Sequence, residues 1–205
     1  MKAALEHLKQ SDPVMKELIV SLPCPQAWSE REPFHALVES IVHQQLSIKA
    51  AATIWSRFES LFPENNPTPE LLTTLSEETL RSAGLSRQKV KYVHSVAEFA
   101  LTGRLEREYL DGCDNETVVS ELTEIYGVGR WTVEMFLMSA LARQDVFAPD
   151  DLIIQQSIQE LYGYQELKGR VLKKALLDVA KPWAPYRTIA CRYLWAWKNA
   201  NMFSE

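Results

Sequence analysis

Two features of this chain have the residue types for chemistry: an aspartate pair behind a proline, and a glycine pair around a valine. Asp150 and Asp151 follow Phe147-Ala148-Pro149 and precede the apolar-periodic segment LIIQQSIQELYG. A carboxylate at a helix N-terminus is favoured as an anion, so it can stabilise a developing positive charge or orient a water. The same aspartate can serve as the helix N-cap, and the two uses are compatible. Upstream, Gly127-Val128-Gly129 separates two apolar helical stripes, Val118/Val119/Leu122/Ile125 and Val133/Phe136/Leu137/Ala140/Leu141. Glycine is a poor helix former, so this pair predicts a turn that needs positive φ or close backbone approach at both positions. Val128 is expected to pack between the two helices. The second helix starts at the turn, where its first N–H groups and positive dipole end can hold a phosphate without a basic side chain. An ordinary αα-hairpin turn fits the glycines as well.

Helical periodicity runs through almost the whole chain. SDPVMKELIVSL has a Ser11/Asp12 cap and Pro13 in its first turn, and PFHALVESIVHQQLS carries Phe34, Leu37, Val38, Ile41 and Val42 on one side. IKAAATIWSRFESLF continues to Pro63, and NNPTP is a loop. Further helices are predicted from Ser76 to about Gly84, over RQKVKYVHSVAEFAL, over NETVVSELTEI before the glycines and over RWTVEMFLMSALA after them. The last begin near Asp151, Glu166 and Pro185. No strand alternation and no fixed-period repeat stands out, so the expectation is an all-α protein of about ten helices.

Composition sets the outer bounds. The chain has 205 residues, 46% hydrophobic and 24% charged, as in an ordinary globular protein. The opening MKAALEHLKQ has no uninterrupted apolar core, so no secretory leader or membrane span is expected. Cys24, Cys113 and Cys191 form no CxxC pair and no four-cysteine cluster spacing, which points to a reducing compartment. The formal charge of -5 argues against general nucleic-acid binding. Its distribution is uneven: Glu59 to Glu78 has five glutamates and no base, whereas Lys168 to Lys198 has eight basic residues against Asp178. Two solvated helical faces would explain this, and so would a DNA partner held locally.

LTEIYGVGRWT followed by PDD resembles the helix-hairpin-helix and aspartate signature of the base-excision DNA glycosylase superfamily, in its DNA-3-methyladenine glycosylase II (alkylbase) branch. IVHQQLSIKAA at 41–51, LRSAGLSRQKVKYV at 80–93 and WAPYRTIACRYLW at 183–195 agree in order and spacing. The resemblance implies an all-α, two-domain helical fold with a helix-hairpin-helix and an interdomain cleft. The expected domains are a central one over 33–140, with the hairpin at about 117–141, and a second from 1–32 plus 141–205. It implies that Asp151 is the essential carboxylate and Asp150 a dispensable neighbour. Trp131, Trp195 and Met135 would line a base pocket, with an aromatic in place of Met135 in some relatives. Gly127, Val128, Gly129 and Thr132 would contact DNA, and Gln45 would fill the gap left by a flipped nucleotide. The backbone carbonyls of Thr123, Ile125 and Val128 would hold a structural Na+ or K+. Trp28, Trp55 and Trp197 are assigned to the core.

Bifunctional relatives carry a lysine where this chain has Trp131. The resemblance therefore implies a monofunctional enzyme that excises alkylated purines, 3-methyladenine and 7-methylguanine, and leaves an abasic site. No cofactor for catalysis and no iron–sulfur cluster are expected. The expected partner is double-stranded DNA with alkylated bases, met by a monomer in the cytoplasm (nucleoid) or nucleus, with no membrane contact. Two other readings stay open on the residues alone: a non-catalytic helix-hairpin-helix DNA-binding module, and a helical scaffold in which GVG is only a turn.

Overall fold

Side-chain caps mark most of the helix starts. The computed structural model describes residues 1–26 and 28–202, and among them it has thirteen α-helices, two short 3₁₀ turns and no strand. The helices are α1 (Lys2–Ser11), α2 (Pro13–Ser21), α3 (Pro33–His43), α4 (Ile48–Glu59), α5 (Pro69–Thr74), α6 (Glu77–Ser82) and α7 (Arg87–Ala100). Then follow α8 (Arg107–Asp111), α9 (Asn115–Leu122), α10 (Arg130–Ser139), α11 (Leu152–Tyr162), α12 (Gly169–Ala180) and α13 (Arg187–Met202). Asp12, Ser47, Thr68, Ser76, Ser86, Asp114 and Asp151 each accept a backbone N–H from the first turn they precede. α1, α5 and α8 are additional to the helices expected from periodicity. No helix among the described residues is long and apolar enough to cross a membrane.

The chain divides into two compact units, a terminal one of Met1–Ser29 with Leu137–Glu205 and a central one of Glu30–Phe136. The central unit packs α3 against α4 and α7, and α7 against α5 and α6. Leu37, Val38, Ile41 and Val42 of α3 meet an interior shared with Val90, Val93 and Val96 of α7, all buried. Spacings of three and four put these residues on single helix faces, so burial of each stripe drives the packing.

The terminal unit packs α2 and α11 against α13, and α1 against α2. Its interior holds Leu8, Met15, Ile154, Leu176, Trp183 and Leu194. A buried carboxylate organises it: Asp12 Oδ1 accepts the N–H groups of Val14 and Met15 at 2.8 and 3.1 Å. Its Oδ2 accepts the Tyr162 hydroxyl at 2.8 Å and the Trp183 indole N–H at 2.9 Å. Four donors offset the cost of burying the charge and tie α2, α11 and the Lys181–Trp183 turn together.

Candidate active site

Asp151 is the N-cap of α11 and is 7% exposed. Its Oδ1 accepts the Ile154 N–H at 2.9 Å and the Trp195 indole N–H at 3.0 Å. The cap bond fixes the carboxylate at the positive end of the helix, and the indole bond fixes its rotation. Asp150 is placed differently. Its side chain is 42% exposed and both oxygens accept from Lys173 Nζ at 2.8 Å. One neighbour is a buried, oriented carboxylate and the other a surface ion pair.

Trp195 is half-buried on α13, and its ring lies 6.0 Å from that of Trp28. Trp28 is 37% exposed and carries the Arg192 guanidinium over its ring at 4.5 Å, so its assignment to the core was wrong. It sits in the Pro-rich link after α2, where no helical period distinguishes core from surface. Trp183 is the fully buried tryptophan of this unit.

The loop that delivers Asp151 is clamped to the first turn of α13, the helix that delivers Trp195. Thr188 Oγ1 donates to Arg143 O at 2.7 Å and accepts the Val146 N–H at 3.0 Å. The Thr188 N–H donates to Gln144 O at 3.0 Å. Beside it, Arg187 forks onto Asp145, Nε to Oδ1 at 2.6 Å and a terminal nitrogen to Oδ2 at 2.9 Å. Burial pushes the Asp145 carboxyl up, but the Arg187 hydrogen bonds and charge outweigh it and hold the group below the usual carboxylate range. A carboxyl depressed in the folded state stabilises the fold above its unfolded value, about 3.9, and that contribution is lost as pH falls through the depressed value. Asp145→Asn is therefore expected to cost about 1 kcal/mol at neutral pH. In urea melts, the gap between mutant and parent should close as the buffer pH is lowered from about 3.9 through the depressed value.

In the central unit, the chain turns between α9 and α10 through Gly127-Val128-Gly129. Gly127 has φ 91°, and a Cβ there would fall 2.2 Å from Tyr92 Cδ1. Gly129 differs from the sequence expectation. It is not among the positive-φ residues, and a Cβ built on it meets no atom within 4 Å. The turn's conformational demand falls on Gly127 alone. Val128 is 5% exposed, as a packing wedge requires. Ser95 Oγ accepts the Tyr126 N–H at 3.0 Å, and the rings of Tyr92 and Tyr126 meet edge-on at 5.1 Å. Arg130, the first residue of α10, is bonded to both Glu116 oxygens at 2.6 and 3.1 Å and to Glu134 at 3.0 Å. This cation is neutralised within the protein by two carboxylates.

Gln45, Trp131, Thr132 and Met135 line one cavity of about 520 Å³, with Ser40, His43 and Gln44. Trp131 is 44% exposed, whereas Thr132 is 7% exposed. Gln45 has φ 58°, a left-handed backbone that costs a non-glycine residue on the order of 1–3 kcal/mol. Thr123 is the C-cap of α9, and Ile125 O accepts the Val128 N–H at 3.0 Å. The structure thus gathers the candidate residues into three groups: Asp151 with Trp195, the hairpin, and the cavity around Trp131. The first belongs to the terminal unit and the other two to the central unit.

Four of the eight basic residues over 168–198 are paired with carboxylates of the same chain. Lys173 pairs with Asp150, Lys181 with Asp178, Arg187 with Asp145 and Lys198 with Glu160. Besides Trp28, sequence reasoning missed the Thr188 and Arg187 clamp and Lys89, which donates to Val42 O and Gln44 O at 2.7 Å each. All join positions more than 40 apart in sequence. The segments LSRQKVKYV and WAPYRTIACRYLW, which carry Lys89 and the clamp, were the only available signal.

Residues 38–182 match the model of the HhH-GPD superfamily base excision DNA repair protein. DNA-3-methyladenine glycosylase 1 of Schizosaccharomyces pombe is 36% identical over 174 residues, 83% of this chain and 74% of that protein. Among solved structures, the DNA-3-methyladenine glycosidase of Bacillus halodurans superposes with a TM-score of 0.88 at 39% identity, covering 98% of this chain and 91% of that one. The S. pombe 3-methyladenine DNA glycosylase in complex with abasic DNA gives 0.82 at 34% identity, covering 99% and 100%.

Proposed function

The chain belongs to the HhH-GPD superfamily of base excision DNA repair proteins, and from that premise we propose that it is a monofunctional DNA glycosylase acting on alkylated purines. The observation that carries the reading is Asp151: a buried carboxylate, fixed by a helix N-terminus and by the indole of Trp195. The relatives named above are 3-methyladenine glycosylases, and one is held in complex with abasic DNA, the product such a reaction leaves.

A base stacked in a duplex is out of reach of a buried carboxylate, so the nucleotide is flipped out at a few kcal/mol. 3-Methyladenine and 7-methylguanine are cationic as nucleosides, and an indole face attracts such a base by about 0.5–2 kcal/mol beyond burial. Trp195 in the terminal unit and exposed Trp131 in the central unit each supply an indole. Breaking the C1′–N bond lets the bonding pair leave with the base, which departs neutral, and the positive charge passes to the sugar. The Asp151 carboxylate stabilises that oxocarbenium charge and orients a water, whose oxygen bonds to C1′ as its proton passes to the carboxylate and on to solvent. Because the leaving base is already charged, no strong general acid is needed, and catalysis needs no cofactor.

The N–H groups at the start of α10 take a DNA phosphate on either side of the lesion. Support comes from the internal pairing of Arg130 and from the open space at Gly129. Gln45 fills the gap left by the flipped nucleotide. The carbonyls of Thr123, Ile125 and Val128 offer hard, neutral oxygens beyond the C-terminal end of α9, where the dipole favours a cation such as Na+ or K+. Ile125 O already accepts one N–H, and a carbonyl oxygen has a second lone pair for the ion. The enzyme acts as a monomer on double-stranded DNA, in the nucleoid or nucleus.

With Trp131 in place of an attacking lysine, no Schiff base forms with the sugar. Borohydride added to enzyme and methylated duplex should trap no covalent adduct, and strands should break only after alkali or heat. A trapped protein–DNA adduct would overturn the monofunctional reading.

A further inference from the structure

The turn that carries Gln45 is held from outside itself. α3 ends at His43, Gln44 occupies its C-cap position at φ −51° and ψ 135°, and Gln45 then turns left-handed. The hydrogen bonds of the turn are long, with Gln44 N–H to Ile41 O and Leu46 N–H to His43 O both at 3.3 Å. The shorter bonds come from Lys89 on the first turn of α7, whose ammonium donates to Val42 O and Gln44 O at 2.7 Å each. These carbonyls lie at the negative end of α3, where a cation is favoured. Burial pushes the Lys89 pKa down, so the ammonium sits in a partly dry site where its two bonds count for more.

α7 holds the hairpin as well. Tyr92 fills the space at Gly127, and Ser95 accepts the Tyr126 N–H. Lys89, Tyr92 and Ser95 are spaced by three along the helix, so one α7 surface supports both turns.

We propose that Lys89 is a positioning residue that fixes the Gln45 turn against α7, so that the wedge is rigid before DNA arrives. This rests on the reading of Gln45 as the side chain that fills the vacated space. A wedge on a loose turn would have to be ordered during insertion, and that cost would fall on base flipping rather than on bond cleavage.

The test uses that distinction. Single-turnover excision of 7-methylguanine is measured from a duplex with the lesion paired to cytosine, and from one with the lesion opposite a tetrahydrofuran abasic analogue. An unpaired lesion needs little help to leave the stack. In Lys89→Met the ratio of paired to unpaired rates should fall about tenfold, the effect of losing hydrogen bonds to a charged group. Lys89→Arg should restore part of it, and Gln45→Ala should lower the same ratio. A loss of general stability would lower both rates together. If Gln45→Ala lowers the ratio and a folded Lys89→Met lowers both rates equally, the positioning role is overturned and the wedge reading survives. If Gln45→Ala leaves the ratio unchanged, the wedge reading fails and the role of Lys89 with it. Should Lys89→Met not fold, Lys89→Gln, which can donate to one carbonyl, is judged by the same ratio.

Discussion

Replacing Asp151 with asparagine is expected to lower base excision by on the order of a thousandfold or more, with the fold intact. The expectation follows from what the side chain touches. Asparagine keeps the carbonyl oxygen that accepts the Ile154 N–H and the Trp195 indole N–H, so both the α11 cap and the α13 contact can survive. What it loses is the negative charge, the property that stabilises an oxocarbenium sugar. Asp150→Asn should retain most activity, because that side chain is exposed and bonded to Lys173 on the surface. Circular dichroism and thermal melts establish folding, and single-turnover excision reads the chemistry. Activity retained in Asp151→Asn and lost in Asp150→Asn would reverse the assignment between the neighbours.

The second large effect separates the two hairpin glycines. Gly127→Ala forces an alanine into positive φ and drives its Cβ onto the Tyr92 ring. The backbone and overpacking costs together come to about 3 kcal/mol, and Tm should fall by roughly 10 °C. Gly129→Ala meets open space at an ordinary φ, so the fold should lose under about 1 kcal/mol. Its effect should appear only with DNA. If a phosphate approaches the start of α10, the added methyl group obstructs it, and affinity should drop for damaged and undamaged duplexes alike, since phosphate contacts carry no sequence information. Fluorescence anisotropy on the two duplexes reads this. A Gly129→Ala protein binding both as tightly as its parent would make the hairpin a packing turn.

These glycines also mark how far sequence reasoning reaches. The pair identified the turn, but φ and the position of Tyr92 decide which glycine is indispensable, and Tyr92 is brought there by the fold. Helices with a cap and two or more turns of apolar period were legible: Asp12 before α2, Ser86 before α7 and Asp151 before α11. α5 and α8 were not: helices of six and five residues are too short to display a period, and the equally short α6 was found from its Ser76 opening instead. α1 has no side-chain cap and buries only Ala4 and Leu8. Asp151 was found because its neighbours in sequence, Pro149 and the α11 stripe, announce a helix start. Trp28, Lys89 and Arg187 were missed because their partners are distant in sequence, and residue type alone does not say which ring or carbonyl a side chain will meet.

Chromatography of bases released from methylated duplex DNA tests the central claim most directly. The wild-type protein should release free 3-methyladenine and 7-methylguanine and leave unbroken strands with alkali-labile abasic sites, while Asp151→Asn at equal concentration releases neither above background. DNA binding by the wild-type protein with no base released, or equal release by the two proteins, would contradict it.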